Sequence, residues 1–254
     1  CKFDVANYVA YLDQRLRQCS RQYALEVKFN TEATVDLLRD GGFDAVVVCI
    51  GARPKKPPVE GIDLPHVVQA VDLLRNPALA SGAGPAVVVG GGDVGCEMAY
   101  FLACEAGKAV TVIEMLPYFM KDSCTANRGY LIHYLEQKGV ALWNCTRLQR
   151  VHEHGVTVVR NVSPTVPSSY VTWTPVLPEN VVNPLARPIR VQEEQVTIPA
   201  DLVVLAVGME PDHTLYEACV RERAAPEIHN IGDSFAPGRI FEATRAGYAL
   251  GSTL

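Results

Sequence analysis

The 254 residues are 48% apolar and 20% charged, which supplies one large or two ordinary cores and excludes a disordered chain. A formal net charge of −5 argues against nucleic acid as partner, because phosphate binding needs clustered Lys and Arg. No apolar run approaches the ~20 residues of a membrane span, and the first residues show no signal-peptide pattern. The eight cysteines include no Cys-x-x-Cys pair, so no metal or dithiol site is expected and a reducing cytoplasm is the expected compartment.

Val5, Tyr8, Val9, Leu12, Leu16 and Cys19 recur at helical spacing and predict a helix over 5–19. Residues 25–29 alternate and predict a half-buried strand. A short helix over 34–39, ended by Gly41-Gly42, precedes 45–50 (AVVVCI), a run expected of a central parallel strand covered on both faces. Gly51-Ala52-Arg53-Pro54 ends that run, at the kind of strand end where open α/β sheets bind ligands. Residues 66–75 predict a strand and short helix, and the Gly- and Pro-rich 76–85 a linker.

Ala86-Val87-Val88-Val89 then runs into Gly90-Gly91-Gly92-Asp93-Val94-Gly95, a Gly-x-Gly-x-x-Gly turn between a buried strand and a helix predicted over 93–106. That helix is expected to bury Val94, Met98, Phe101 and Leu102 on one face. In this context Gly90 makes the tight turn, Gly92 lets backbone approach a pyrophosphate, and Gly95 permits close helix–strand packing. The helix N-terminus supplies N–H donors and a positive dipole end to the anion. The next strand, 110–114, ends at Glu114, whose carboxylate is placed to accept hydrogen bonds from an adenosine ribose. The bland alternative is a glycine turn with an incidental surface acid. A carboxylate at 114 repels the 2′-phosphate of NADP, and Met115-Leu116-Pro117 supplies no arginine to hold one, so NADH is expected over NADPH. Lys121 is the one nearby cation that would reverse this. Glu97 is either a residue favoured by the helix dipole or one near the nicotinamide ring.

A helix over 126–138 with Leu131, Ile132 and Leu135, the C-capping Gly139, and a strand over 140–144 follow. Alternating segments at 151–160, 189–191 and 195–198 predict an antiparallel meander, with the proline-rich 163–188 as an inserted loop. Residues 202–207 (LVVLAV) repeat at Gly208 the strand-then-glycine device of Gly51. Residues 228–231 lead to Gly232-Asp233, where Asp233 either caps the following helix (241–250) or faces a cofactor hydroxyl chain. His152 and His154 share a predicted strand face, but the six histidines show no metal spacing. The βαβ rhythm makes the class α/β.

The order of 45–54 (AVVVCIGARP), 88–97 (VVGGGDVGCE), 205–212 (LAVGMEPD) and 228–247 (IHNIGDSFAPGRIFEATRAG) resembles the pyridine nucleotide-disulfide oxidoreductase superfamily of two-dinucleotide-domain flavoproteins. More narrowly, it is similar to the C-terminal half of NADH:flavin oxidoreductases related to 2,4-dienoyl-CoA reductase and trimethylamine dehydrogenase. In those proteins an FMN-binding (β/α)₈ barrel with a 4Fe–4S cluster precedes the nucleotide-binding half. The resemblance implies two nested Rossmann-like (FAD/NAD(P)-binding) domains. Residues 84–213 are then the NAD(P)-binding domain, set into an FAD-binding-like domain of 1–83 and 214–254 that is N-terminally truncated.

It implies further that Gly90, Gly92 and Gly95, with Asp93 and Val94 between them, and Glu114 hold the pyridine nucleotide. Ala52 and Arg53, beside Gly51, line the FAD side, and Gly232 and Asp233 contact the FAD ribityl and pyrophosphate region. The chain is thus expected to be the nucleotide-binding C-terminal fragment of a flavin-dependent oxidoreductase. The fragment alone is expected to bind NADH without holding FAD tightly. The parent passes hydride from NADH to FAD and electrons on to FMN and 4Fe–4S in a barrel of the same chain. The alternative is a non-catalytic adenine-nucleotide-binding module, and a self-standing disulfide reductase is disfavoured for want of a redox cysteine pair. No catalytic residue is assigned, and a homo-oligomer is left open.

Overall fold

The computed structural model describes residues 3–82, 84–173, 180–181, 183–184 and 187–254. In chain order its elements are α1 (Phe3–Gln22), α2 (Val35–Asp40), β1 (Ala45–Val48), β2 (Ala52–Pro54), β3 (Val67–Gln69) and α3 (Ala70–Arg75). Then come β4 (Ala86–Val89), α4 (Asp93–Cys104), β5 (Val110–Ile113), α5 (Thr125–Gln137), β6 (Ala141–Trp143), β7 (Thr146–His152), β8 (Gly155–Asn161) and β9 (Glu193–Pro199). The chain continues with β10 (Leu202–Leu205), β11 (Met209–Pro211), α6 (Thr214–Glu222), β12 (Glu227–Asn230) and α7 (Ile240–Gly251).

The main sheet has five parallel strands in the order β3-β10-β4-β5-β6. Side chains alternate across a strand, and here the two faces meet different layers. Val88, Val112 and Val204 pack with Met98, Leu102, Ile132 and Leu135 of the helices. Val87, Val89 and Val203 pack with Val151, Val156, Val158 and Ile198 of the antiparallel sheet β7-β8-β9. Both faces of β4 and β10 are therefore covered, and every residue of the two strands is buried.

Outside this sheet, β1 pairs in parallel with β12, its one partner among the described residues (Ala45↔Glu227 to Val48↔Asn230). The chain crosses between the two regions twice, through β2 and β11, and the two crossings pair with each other antiparallel.

Several elements depart from the sequence reading. Residues 25–29 form no strand, because their alternating side chains face no partner strand; they remain exposed. The run 45–50 is not covered on both faces: with β12 as its single neighbour, Val47 is 39% and Ile50 48% exposed. Within residues 1–83, β3 pairs with β10 in the main sheet, and Ala70 and Leu73 of α3 pack in the core on its helix side. The 76–85 segment is not a free linker, since it carries a 3₁₀ turn over Pro77–Ala80 whose Ala80 is buried. Residues 151–160 are two strands of a hairpin with its turn at Glu153-His154, so His152 and His154 do not share a strand face, and 189–191 form no strand. α6 answers to no predicted element.

Most of the proline-rich loop beyond 173 lies outside the described residues. Its first part is docked. Tyr170 Oη donates to Val140 O at 2.8 Å and accepts from Leu142 N–H at 3.3 Å. Buried Asn144 donates to both Pro117 O (2.7 Å) and Pro167 O (2.9 Å). Among the described residues no helix is long and apolar enough to cross a membrane.

Candidate functional site: a glycine cradle at the end of the central strand

β4 ends at Gly90, whose φ of +104° is open to glycine and costly for other residues. A Cβ on Gly90 would meet the Ala206 carbonyl, and one on Gly95 would overlap the Gly90 carbonyl oxygen. These two glycines thus let α4 start directly against the strand. Gly92 is different: a Cβ there would meet nothing within 4 Å. Its backbone borders open space where a ligand can approach. The first intrahelical bond of α4 is Cys96 N–H to Gly92 O at 3.0 Å. The N–H groups of Asp93, Val94 and Gly95 therefore lack an acceptor within the helix.

Val94, expected on the buried face, is instead 49% exposed, and Gly95, Cys96, Met98, Ala99 and Leu102 are the buried set. The close approach at Gly95 turns the helix so that Val94 sits on the open side of the cradle.

Glu114, immediately after β5, faces the same turn. Its Oε2 accepts from Gly91 N–H at 2.6 Å and its Oε1 from Leu116 N–H at 2.7 Å. A carboxylate has about four acceptor positions, so both oxygens keep capacity for hydroxyl donors while the backbone fixes their orientation. Gly91, unremarked in the sequence, is needed too: a Cβ there would strike the buried Phe119 ring and the Glu114 side chain. Met120 N–H closes the 114–120 loop onto Gly91 O at 2.8 Å.

Asp93, the first residue of α4, is held from the other lobe. Its Oδ2 accepts from Arg239 Nη2 at 2.7 Å, and its Oδ1 bonds Ser123 Oγ. Arg239 Nη2 also donates to Asp122 O at 2.9 Å. Arg239 precedes α7, and its backbone N–H donates to Glu242 Oε2 at 2.9 Å. The N–H groups of Glu242 itself and of Arg239 hold the Glu242 carboxyl below the usual range. Glu97 lies half-buried one turn further along α4. The neighbouring Cys96 thiol is pushed up to about 12 by burial, reinforced by Asp93, Glu114 and Glu97. Such a thiol is no nucleophile at neutral pH.

The remaining candidates lie elsewhere. Gly51 and Gly208, both at φ +90°, follow β1 and β10 and immediately precede the two crossing strands. Lys55 N–H donates to Gly208 O (3.0 Å) and Asp212 N–H to Gly51 O (3.3 Å), extending the β2–β11 pair. Ala52 pairs with Pro211. Arg53 grips Asp212 Oδ2 through Nε (2.8 Å) and Nη2 (2.7 Å). Thr214, through its hydroxyl and N–H, and then Arg53 keep Asp212 below the ordinary aspartate range. Gly232 opens a 3₁₀ turn, and Asp233 Oδ1 accepts from Gly238 N–H at 3.1 Å, so Asp233 closes the 233–238 loop rather than capping α7. Buried Ser234 ties the ends of β1 and β12 by donating to Asn230 Oδ1 at 2.7 Å, with Val48 O at 3.3 Å.

Gly90, Gly92, Asp93, Val94, Gly95 and Glu114 thus form one cluster. Gly51, Ala52, Arg53 and Gly208 form the crossing ribbon, and Gly232 and Asp233 stand at the end of β12. Sequence reasoning missed Arg239, since nothing in local spacing connects a surface arginine to Asp93.

A parallel sheet with an open glycine cradle at a helix N-terminus, faced by an oriented carboxylate, defines a dinucleotide-binding α/β protein. The family model described as pyridine nucleotide-disulphide oxidoreductase matches residues 7–230, and the chain belongs to that family. It is 27% identical over its whole length to a bilirubin reductase from Mediterraneibacter gnavus, covering 33% of that protein. It is 28% identical to a metal reductase from Desulforamulus reducens, with 94% of this chain and 35% of the relative aligned. The chain spans about a third of the length of these curated relatives. Among solved structures, 2-naphthoyl-CoA reductase superposes with a TM-score of 0.76 at 26% identity, over 99% of this chain and 32% of its own. Histamine dehydrogenase from Rhizobium sp. 4-9 shares the fold, with a TM-score of 0.71 at 19% identity over 95% of this chain and 33% of its own.

Proposed function

We propose that residues 1–254 form the NADH-accepting part of a flavin-dependent oxidoreductase, in which NADH seated at Gly90–Gly95 delivers hydride to FAD. The observation that carries this reading is the cradle itself: an open backbone at Gly92, first-turn N–H groups without helix acceptors, and Glu114 oriented by two backbone donors. In the bound state the Asp93 and Val94 N–H groups meet the pyrophosphate. Glu114 accepts hydrogen bonds from the adenosine ribose and repels a 2′-phosphate, favouring NADH over NADPH. Gly51, Ala52, Arg53, Gly232 and Asp233 stand on the flavin side. Gly51 and Gly232, with no atom within 4 Å of a built Cβ, leave room for a ligand there. Bound FAD supplies a ring that accepts hydride and passes electrons onward, in this reading to FMN and 4Fe–4S centres on a barrel domain of the whole protein. Hydride transfer demands positioning above all, which is the work of a rigid cradle.

The relatives support placing the donor step here. Their names state different acceptors, bilirubin, metal and cinnamate, and one is an NADH oxidase, while the region they have in common with this chain is the same.

Calorimetric titration with NADH, NADPH and ADP tests the reading. NADH binding at least ~10-fold tighter than either competitor is expected. ADP binding as tight as NADH would replace this reading with that of a non-catalytic adenine-nucleotide module.

A further inference from the structure

We propose that Arg239 tunes the glycine cradle for a dinucleotide by cancelling the negative charge of Asp93, so that α7 of one lobe sets the nucleotide affinity of the other. The inference rests on the nucleotide reading of the cradle given above.

A carboxylate at the first position of a helix is favoured by the helix dipole in the free protein. The same carboxylate opposes an anion arriving at the same N–H groups, because like charges a few ångströms apart repel. Asp93 stands in that position, and Glu97 and Glu114 add to the acidic surroundings. Among the described residues, Arg239 is the cation recorded in an ion pair with Asp93.

Three features suit Arg239 to this task. Its guanidinium bonds Asp93 Oδ2 and the Asp122 carbonyl together, which fixes it beside the helix start. Its backbone is anchored by Glu242 in the first turn of α7, so its position follows that helix. Its side chain remains 55% exposed, so its charge stays open to solvent beside the first residue of α4. Ser123 engages the other Asp93 oxygen and carries no charge, so it orients the carboxylate without neutralising it.

The test is NADH affinity of the full chain, as wild type and as Arg239→Ala, Arg239→Lys, Asp93→Asn and the Arg239→Ala/Asp93→Asn double variant. Arg239→Ala is expected to weaken binding ~10-fold at low salt, and the deficit to shrink at physiological salt as screening sets in. Arg239→Lys, which keeps the charge, and the double variant, which removes the charge to be cancelled, are each expected within ~3-fold of wild type. The double variant lacks the same ion pair as Arg239→Ala, so misfolding cannot explain its recovery. Undiminished affinity in Arg239→Ala overturns the inference. So does a double variant, or a lysine variant, as weak as Arg239→Ala. A wild-type chain that binds no NADH overturns the nucleotide reading and this inference together. One that binds NADH equally with and without Arg239 overturns this inference alone.

Discussion

β1 and β4 are the same tetrapeptide, Ala-Val-Val-Val, in two settings. In β4 all four residues are buried, because β10 and β5 flank the strand while helices and the β7-β8-β9 sheet cover its faces. In β1 only Val46 and Val48 are buried; Val47 looks outward beside the exposed Ile50. α2 and α7 bury no residue at all. Burying a valine fully is worth roughly 1.5–3 kcal/mol, so identical residues contribute very differently in the two lobes. The difference belongs to the neighbours, and it puts the rigid part of the molecule under the glycine cradle.

The most damaging way to probe this contrast is to place one charge in each strand. Val88→Asp is expected to cost upward of ~4 kcal/mol in urea unfolding, because it buries an unpaired carboxylate in the main core. Val47→Asp is expected to cost less than ~1 kcal/mol. Equal losses would show that β1 is as enclosed as β4.

Glycines sharpen the comparison at the level of binding. Gly95→Ala pushes α4 off the Gly90 carbonyl and is expected to lower NADH affinity more than ~10-fold, because the displaced first turn no longer presents its N–H groups to the pyrophosphate. Gly51→Ala sits at φ +90° with open space around it, so it should lose roughly 1–3 kcal/mol of stability to backbone strain. Its NADH affinity should be unchanged. A smaller effect is expected from Glu114→Gln, which removes the charge but keeps an oxygen for the ribose. The NADPH-to-NADH affinity ratio should rise ~10-fold, read by parallel titrations.

The least perturbation concerns the ribbon between the lobes. Asp212 has its pKa depressed on folding, so its tie to Thr214 and Arg53 contributes fully above the ordinary value of 3.8 and is lost as pH falls through the depressed one. Asp212→Asn should therefore melt lower than wild type at pH 6, with the gap closing in acid below that ordinary value. A gap that stays constant down to acid-induced unfolding would separate the tie from the carboxylate's ionisation.

The sheet and cradle are legible in the sequence where contiguous residues carry the physics. Strand, glycine turn and helix follow one another from Ala86 to Cys104, and Glu114 lies one βαβ step further. Legibility fails where the outcome depends on a partner far along the chain. Residues 25–29 alternate as a strand should, yet among the described residues no strand pairs with them. Residues 45–50 read as doubly covered, although among the described residues β12 is the one strand paired with them. The turn at Glu153-His154 hides inside a run of alternating residues, and Val94 loses its expected burial to the close packing of Gly95. The Arg239–Asp93 pair joins residues from separate lobes, and Asn144 is recognisable as a buried tie only once Pro117 and Pro167 converge on it.

The pairing of β1 with β12 also dictates an order of events during synthesis. Ala45–Val48 is made well before Glu227–Asn230 and must wait for it, whereas β4, β5 and β6 meet within a short stretch of chain. Closing so long a loop before any reward is slow. The main sheet is thus expected to form first and to bring residues 54 and 209, which pair at the ribbon's end nearest that sheet, side by side. Until then a bare valine strand waits without its partner, which makes this segment the natural place for a chaperone to bind or for aggregation to begin.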